Sequence, residues 1–467
     1  MVRKKKKLSK KQVASRSKRS LKAIQPNAAG IDPGSKEHWV AGPPGDNDKP
    51  NVKCFGTTTP KLNRLADWLQ EQAVETVAME STGVYWIPLF EVLDSRGFQV
   101  ELVNARQISN VPARKTDILD CRRIQLLHAC GLLRGSFRPS DDICRLRALI
   151  RERSTMVDER ADWIRRMQKY LDQMNVRVHR AVSDITGLTG MAIIRAIVGG
   201  ERDPYALAKL RHPHCRNSEQ QIAEELTGNW RSEHLFNLGQ ALKMYDQLTT
   251  VIGDYDTEIL SCIGELAHHD TDEPPLPPHH SKTKARGIAK RGREPLRQDL
   301  YRMCGVDLTS IDGMSVDTAA VIISELGLDY SVFPDESHFV SYLRLAPNVA
   351  ISGDKKVPKK FKAITCSRVS TALRMAALTL RNSKTAPGGY YRRVAYHKGA
   401  SIAVFATARK LAQLIYRLVC YGQAYIDVGV DAYEARFNQR RLTFYTNALK
   451  NMGFRVEAAA QMEPATT

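Results

Sequence analysis

Ala28-Ala-Gly-Ile-Asp-Pro-Gly-Ser35 decides how the first third of this chain folds. An apolar run ends on an aspartate, and Pro-Gly-Ser turns the chain at once. That is the pattern of a buried strand whose last carboxylate, Asp32, is delivered into a turn that a ligand can reach. Three more carboxylates stand at comparable places. Glu80 closes an apolar run in Val77-Ala-Met-Glu-Ser-Thr-Gly-Val-Tyr-Trp86, and Asp117 and Asp120 open a helical pattern in Lys115-Thr-Asp-Ile-Leu-Asp120. The i, i+3 spacing of the last two places both on one helix face. Taken singly, each is more often structural, and Asp117 beside Thr116 could be a helix cap. Taken together they fit a metal site. Mg²⁺ takes hard oxygen ligands, and phosphodiester chemistry commonly uses two metal ions about 3.5–4 Å apart.

Around these residues, 26–138 reads as an α/β domain. Ala28 to Asp32, Glu37 to Ala41 and Asn51 to Gly56 are strands whose short spacing implies antiparallel hairpins. Thr58-Thr-Pro60 starts a helix with inner face Leu62, Leu65, Ala66 and Leu69. Glu75 to Glu80 is a strand, Tyr85 to Leu93 a helix, Phe98 to Val103 a strand, and a last helix begins near Thr116 and runs through Leu132. Three hairpin strands followed by alternating helices and strands is the order of a ribonuclease-H-like fold.

The chain has 467 residues and a net charge of +20. Residues 1–28 hold eleven Lys/Arg and no Asp/Glu, so the body remains basic without them. A basic body and a basic arm (1–25) call for a polyanion. Nucleic acid fits better than membrane, because no apolar run approaches the ~18 residues of a spanning helix. The nine cysteines are scattered and include no CxxC pair, which points to reduced thiols rather than disulfides or zinc.

Residues 139–263 read as all-helical. Ile143, Leu146, Ile150, Val157, Ile164, Met167, Leu171, Met174 and Val178 recur at helical gaps, as do Leu238, Leu242, Tyr245, Ile252 and Ile259. An antiparallel helical pair or coiled coil is expected. Residues 264–299 read as a linker, with Pro274, Pro275, Pro277 and Pro278 followed by a basic run; His268, His269, His279 and His280 lack the spacing of metal ligands. Residues 300–455 form a second, mainly helical unit, and 456–467 a frayed tail. Leu308-Thr-Ser-Ile-Asp-Gly-Met-Ser-Val-Asp-Thr-Ala-Ala320 has a helix-hairpin-helix pattern in which the Gly313 turn can face a phosphate. Lys355, Lys356, Lys359, Lys360 and Lys362 then suit DNA phosphates, against the plainer alternative of a solvated loop.

Gly30-Ile-Asp-Pro-Gly-Ser35 resembles the first catalytic strand of RuvC-like Holliday-junction resolvases. Met79-Glu-Ser-Thr-Gly-Val-Tyr-Trp86 and Lys115-Thr-Asp-Ile-Leu-Asp120 resemble the DEDD domain of the insertion sequence 110 family of transposases. Ile311-Asp-Gly-Met314, Arg344-Leu-Ala-Pro347 and Ser352-Gly353 are similar, in the same order, to that family's second domain. The resemblance implies a DNA recombinase that excises and inserts its own mobile element in the bacterial cytoplasm, at the nucleoid. It implies Asp32, Glu80, Asp117 and Asp120 as metal ligands for Mg²⁺ (or Mn²⁺), and Ser352 as a nucleophile forming a phosphoserine link to DNA. As partners it implies double-stranded DNA at element ends and target, a guide RNA encoded by the element, and further copies of the chain in a dimer or tetramer. Lys115 and Arg368 are further candidate phosphate contacts; around Arg368, Ile364-Thr-Cys-Ser-Arg-Val369 departs from the family's basic-Gly stretch. A metal-only resolvase or nuclease, and a non-catalytic nucleic-acid-binding protein, are the rival expectations.

Overall fold

The computed structural model describes residues 23–45, 50–81, 83–104, 116–267, 276–279, 282–290, 292–346, 350–352, 355–357, 367–422, 435, 439 and 442–455. At 267, 282, 283, 290, 350–352 and 355–357 only the backbone is described. The N-terminal arm through residue 22, Lys115, the His268-His269 pair, Lys359, Lys360, Lys362 and the tail from 456 lie outside the described residues. The chain divides into two compact units, Met1–Arg138 and Pro139–Thr467.

The first unit is built on a five-stranded sheet. Strands β1 (Ala28–Pro33), β2 (Glu37–Ala41) and β3 (Val52–Gly56) form an antiparallel meander. Helix α1 (Thr59–Glu71) leads to β4 (Thr76–Glu80), α2 (Ile87–Ser95) to β5 (Gln99–Val103), and α3 (Asp117–Ala129) closes the unit. The sheet order is β3-β2-β1-β4-β5, with β4 parallel to both β1 and β5. The expected element order therefore holds, with α2 starting two residues later than the sequence pattern suggests and α3 ending earlier. Alternation along the strands assigns the two faces. Ala29, Ile31, Val40, Phe55, Val77 and Met79 enter the core beneath α1 and α2. Ala78 and Val103 meet Ile124 of α3 on the opposite face.

The second unit is mostly helical. Its backbone is a pair of long helices, α4 (Asp141–Gln173) and, after four short helices α5 (Val178–Ala181), α6 (Leu188–Val198), α7 (Pro204–Ala208) and α8 (Glu219–Leu226), the 36-residue α9 (Ser232–Ala267). Arg145 pairs with Glu265, Arg153 with Asp256, and Arg160 donates to Thr249, so the two long helices run antiparallel. One end of the pair packs with the short helices around Met167, Leu171, Met174, Ile193, Leu207, Leu226 and Leu238. The other end, at Leu146, Ile259 and Ile263, shares a core with the C-terminal helices.

Those are α10 (Lys282–Lys290), α11 (Glu294–Cys304), α12 (Val316–Leu326), α13 (Glu336–Tyr342), α14 (Arg368–Thr379), α15 (Ala386–Lys398) and α16 (Ala400–Tyr421). A two-stranded hairpin, β6 (Ala350–Ser352) and β7 (Lys355–Val357), interrupts them. The segment 264–299, read from its prolines as a linker, carries much of two helices. Ile288, Leu296 and Leu300 enter the core, and Arg297, 2% exposed, meets Asp307, 4% exposed, at 2.7 Å. Burying apolar side chains on one face of each helix outweighs the local proline signal.

Candidate functional site

Parallel pairing of β1 with β4 matches Ala28 with Thr76 and Ile31 with Met79. One further step along that register sets Asp32 beside Glu80. Both share the alternation of Gly30 and Ala78, so their side chains leave the sheet on the α3 face, at the ends of two central parallel strands. Both are half-buried.

Helix α3 crosses that face antiparallel to β1. Gln125 Nε2 donates to the Ala28 carbonyl at 3.2 Å, while the Cys121 carbonyl lies over Gly30. A Cβ at Gly30 would stand 2.1 Å from the Gln125 nitrogen and 2.6 Å from the Cys121 oxygen, so this glycine lets the helix backbone rest on the strand. His128 Nε2 and Thr76 Oγ1, 2.9 Å apart, fasten the other end of the helix. The buried stripe of α3 is Cys121, Ile124, Gln125 and His128. Continued one turn toward the N-terminus, it reaches Asp117 and Asp120, which thus pass over the strand ends that carry Asp32 and Glu80.

The cap of α3 is Thr116, whose hydroxyl accepts from the Leu119 amide at 3.3 Å. Asp117 is thereby released from the capping role that the sequence left open; it is exposed, and Asp120 is half-buried. Two acids in a first turn are favoured by the helix dipole. Two cysteines that the sequence did not single out flank the group. Burial, with Asp32 adding to it, pushes the Cys121 thiol up to about 12. Burial, then Glu37 and Asp117, pushes the Cys54 thiol up to about 11. Both thiols therefore stay protonated near neutral pH, unsuited to act as nucleophiles. Cys54 comes near through the sheet register, opposite Trp39, which is opposite Asp32, and Cys121 through the packing of α3 on Gly30.

The donor set, four carboxylates at one end of one sheet face, is of the hard-oxygen type that Mg²⁺ takes. Among the described residues no three His, Cys, Asp or Glu side chains are drawn tightly enough to ligate one ion. The four carboxylates have the chemistry of such donors, but among the described residues they are not drawn into a coordination shell.

In the second unit, Ser352 ends β6 and its backbone is paired with Lys355 of β7, next to Lys356 opposite Ile351. Gly313 has φ +83° in the turn between a single 3-10 turn (Leu308–Ser310) and α12. A Cβ there would stand 3.0 Å from Leu380 Cγ and 3.1 Å from the Ala376 carbonyl, so one side of the turn packs against the protein's own C-terminal helices. Ser315 caps α12, accepting from the Thr318 amide at 3.1 Å. Arg368 opens α14 with its Nε 4.0 Å from Glu325, a carboxylate already gripped by Arg151 at 2.7 Å. Asp32, Glu80, Asp117 and Asp120 thus belong to the first unit, while Gly313, Ser352, Lys355, Lys356 and Arg368 belong to the second.

An α/β domain with carboxylates at its central strand ends and one helix start, in a chain of net charge +20, has the outline of a nucleic-acid-processing protein. Two family models match the chain. Residues 29–176 match the DEDD transposase model of the IS110 type, and residues 305–392 match that described as "Transposase IS116/IS110/IS902 family". The chain belongs to the IS110 family of transposases and is a DNA transposase, a strand-cleaving and strand-joining recombinase. No curated protein sequence matches it. A DEDD domain of this kind generally uses a divalent metal. Among the described residues no helix is long and apolar enough to cross a membrane.

Proposed function

We propose that the chain excises and inserts a mobile element by attack of Ser352 on a DNA phosphate, with Asp32, Glu80, Asp117 and Asp120 holding Mg²⁺ in a ribonuclease-H-like (RuvC-like) domain. The observation that supports this is the register of β1 with β4, whose next step sets Asp32 beside Glu80, on the sheet face covered by the helix whose first turn carries Asp117 and Asp120. Mg²⁺ bound there would neutralise charge developing on the phosphate and its leaving oxygen. The chain's own residues do the rest. The Ser352 hydroxyl forms a new Oγ–P bond as the bond from phosphorus to a deoxyribose oxygen breaks, and the hydroxyl proton passes to that oxygen. A serine hydroxyl is weak at its own pKa and needs such assistance. Because a phosphodiester replaces a phosphodiester, the reverse attack rejoins DNA without an energy source.

Guidance by an element-encoded RNA, assembly into a dimer or tetramer and residence at the bacterial nucleoid belong to the same proposal. The +20 charge supports polyanion binding without choosing between RNA and DNA. One rival retains a specific support. All four carboxylates stand on the first unit, so a metal-only nuclease using water would need no residue of the second.

The test is strand cleavage of end-labelled element-end duplex, with its RNA, in Mg²⁺ and in EDTA. Loss of cleavage in Asp32→Asn, Glu80→Gln, Asp117→Ala and EDTA, with the circular-dichroism spectrum unchanged, is the expected result. Full cleavage by Asp117→Ala would discard the carboxylate assignment.

A further inference from the structure

From Lys355 to Ile426 the chain has fifteen Lys/Arg and not one Asp or Glu. Such a stretch is no accident of composition in a chain with fifty acids among 467 residues. Among the described residues only two ion pairs reach into it from outside, Arg368 with Glu325 and Arg417 with Glu336. Helix α15 is the part that gives this charge a shape. It packs inward through Ala386, Gly388 and Tyr391. A Cβ on Gly388 would stand 2.3 Å from the Ser383 carbonyl, so the helix start is seated hard on the turn before it. Its outer face presents Arg392, Arg393 and, one turn on, Tyr396, followed by Lys398 at the helix end.

Two details separate this face from an ordinary solvated one. Arg392 is not a free tether: its Nη1 donates to the Arg381 carbonyl at 3.1 Å and to the Ser383 carbonyl, which holds one nitrogen of the guanidinium against the surface of an otherwise exposed side chain. Tyr396 is 87% exposed, the most exposed large apolar side chain among the described residues, with its ring edge-on to His397 at 5.1 Å. A lone exposed aromatic is common and means little. An exposed aromatic plate beside cations, one of them fixed, suits strands whose bases are unpaired, because every base has a face to stack and every nucleotide a phosphate. A paired duplex hides those faces.

We propose that the Arg392–Arg393–Tyr396 face of α15 holds an unpaired strand of the DNA substrate, a base stacked on Tyr396 and flanking phosphates on the two arginines. This rests on the DNA-recombining activity above and adds a surface apart from the Ser352 hairpin. DNA rather than RNA is the assigned occupant because the strand cleavage this family performs exposes unpaired DNA.

The test uses the full chain in EDTA and fluorescence anisotropy with labelled oligothymidylate, its duplex with oligodeoxyadenylate, and oligouridylate. Salt is held where the N-terminal arm's contribution is screened. Tyr396→Ala should weaken oligothymidylate binding by roughly 5- to 150-fold, from stacking worth about 1–3 kcal/mol per base, with little change for the duplex. Tyr396→Phe should bind as the parent does. Arg393→Gln should flatten the log-affinity against log-salt slope by about 0.7. At 87% exposure Tyr396 leaves no cavity, so an unchanged melting temperature certifies the fold. Unaltered oligothymidylate binding by Tyr396→Ala, equal losses for strand and duplex, tighter Tyr396-dependent binding of oligouridylate, or displacement by polyglutamate as readily as by oligothymidylate would each overturn the inference. If the parent cleaves DNA and Asp117→Ala does not, such an outcome removes the α15 surface alone. If the parent binds none of the DNA probes, the DNA reading falls first and the surface with it.

Discussion

Replacing Gly30 by alanine should damage both the first unit's stability and the candidate metal site, through a single added carbon. The new Cβ would lie 2.1 Å from the Gln125 nitrogen, 2.6 Å from the Cys121 oxygen and 2.7 Å from the Gln125 Cα. All three are backbone atoms, so no rotamer change relieves the clash. Reaching ordinary contact requires α3 to retreat from β1 by about 1 Å or more. Overpacking in a core costs roughly 1–3 kcal/mol, and a helix that must move as a body belongs at or above the upper end. The same retreat lifts Asp117 and Asp120 from Asp32 and Glu80, and misplacement by about 1 Å can cost about 100-fold in rate. Amide hydrogen exchange in α3 reports the local loosening, urea unfolding the stability, and strand cleavage the site. Gly253→Ala in α9 is the control: nothing stands within 4 Å of its Cβ, and alanine there should be neutral or stabilising by up to about 1 kcal/mol. A Gly30→Ala protein with unchanged urea midpoint and fully protected α3 amides would refute the close seating of helix on strand, and with it the account of how the carboxylates meet.

Three further outcomes follow from the structure. Burial depresses the pKa of both His38 and His128 below 6.5, with Glu101 opposing the shift at His128. The folded unit keeps them neutral where the unfolded chain takes up protons, so stability should fall as pH drops from 6.5 toward the depressed values, by up to about 1.4 kcal/mol per pH unit per histidine. Urea midpoints across that range should flatten in the His38→Gln, His128→Gln double variant, and an unchanged slope would count against the assignment. Arg297→Ala strands the Asp307 carboxylate in the core and should cost about 3–5 kcal/mol in chemical denaturation; a loss under about 1 kcal/mol would contradict the buried pairing. Gly313→Ala combines φ +83° with a Cβ 3.0 Å from Leu380 Cγ and should destabilise the second unit by about 1–3 kcal/mol, read from its thermal melt.

Much of the first unit was legible because its signals are local. Each strand is a short apolar run stopped by turn residues, and Asp32 and Glu80 are conspicuous as acids ending such runs. The i, i+3 spacing of Asp117 and Asp120 is likewise visible without a fold. What Gly30 does was not visible, since a strand glycine declares nothing about the helix that lies on it; nor were Cys54, which joins the site through register across β3, β2 and β1, and Cys121, which joins it through the seating of α3 on β1. Residues 264–299 misled through their prolines, because the burial of Ile288, Leu296 and Leu300 depends on partners far along the chain. The β6–β7 hairpin, with three residues in each strand, is too short for alternation to announce. The long helices α4 and α9 were plain from periodicity, but their sharing of two cores was not.

The central claim is a covalent one, and it is tested most directly by trapping the reaction on a denaturing gel. Labelled element-end DNA and its RNA are incubated with the parent protein, Ser352→Ala and Asp117→Ala, in Mg²⁺ and in EDTA, and any protein–DNA adduct is digested and its linked peptide sequenced by mass spectrometry. The account predicts an adduct in Mg²⁺ alone, absent from both variants, with the nucleotide joined to Ser352. Cleaved DNA without an adduct, persisting in Ser352→Ala, would contradict it and leave a nuclease that works through the four carboxylates and water.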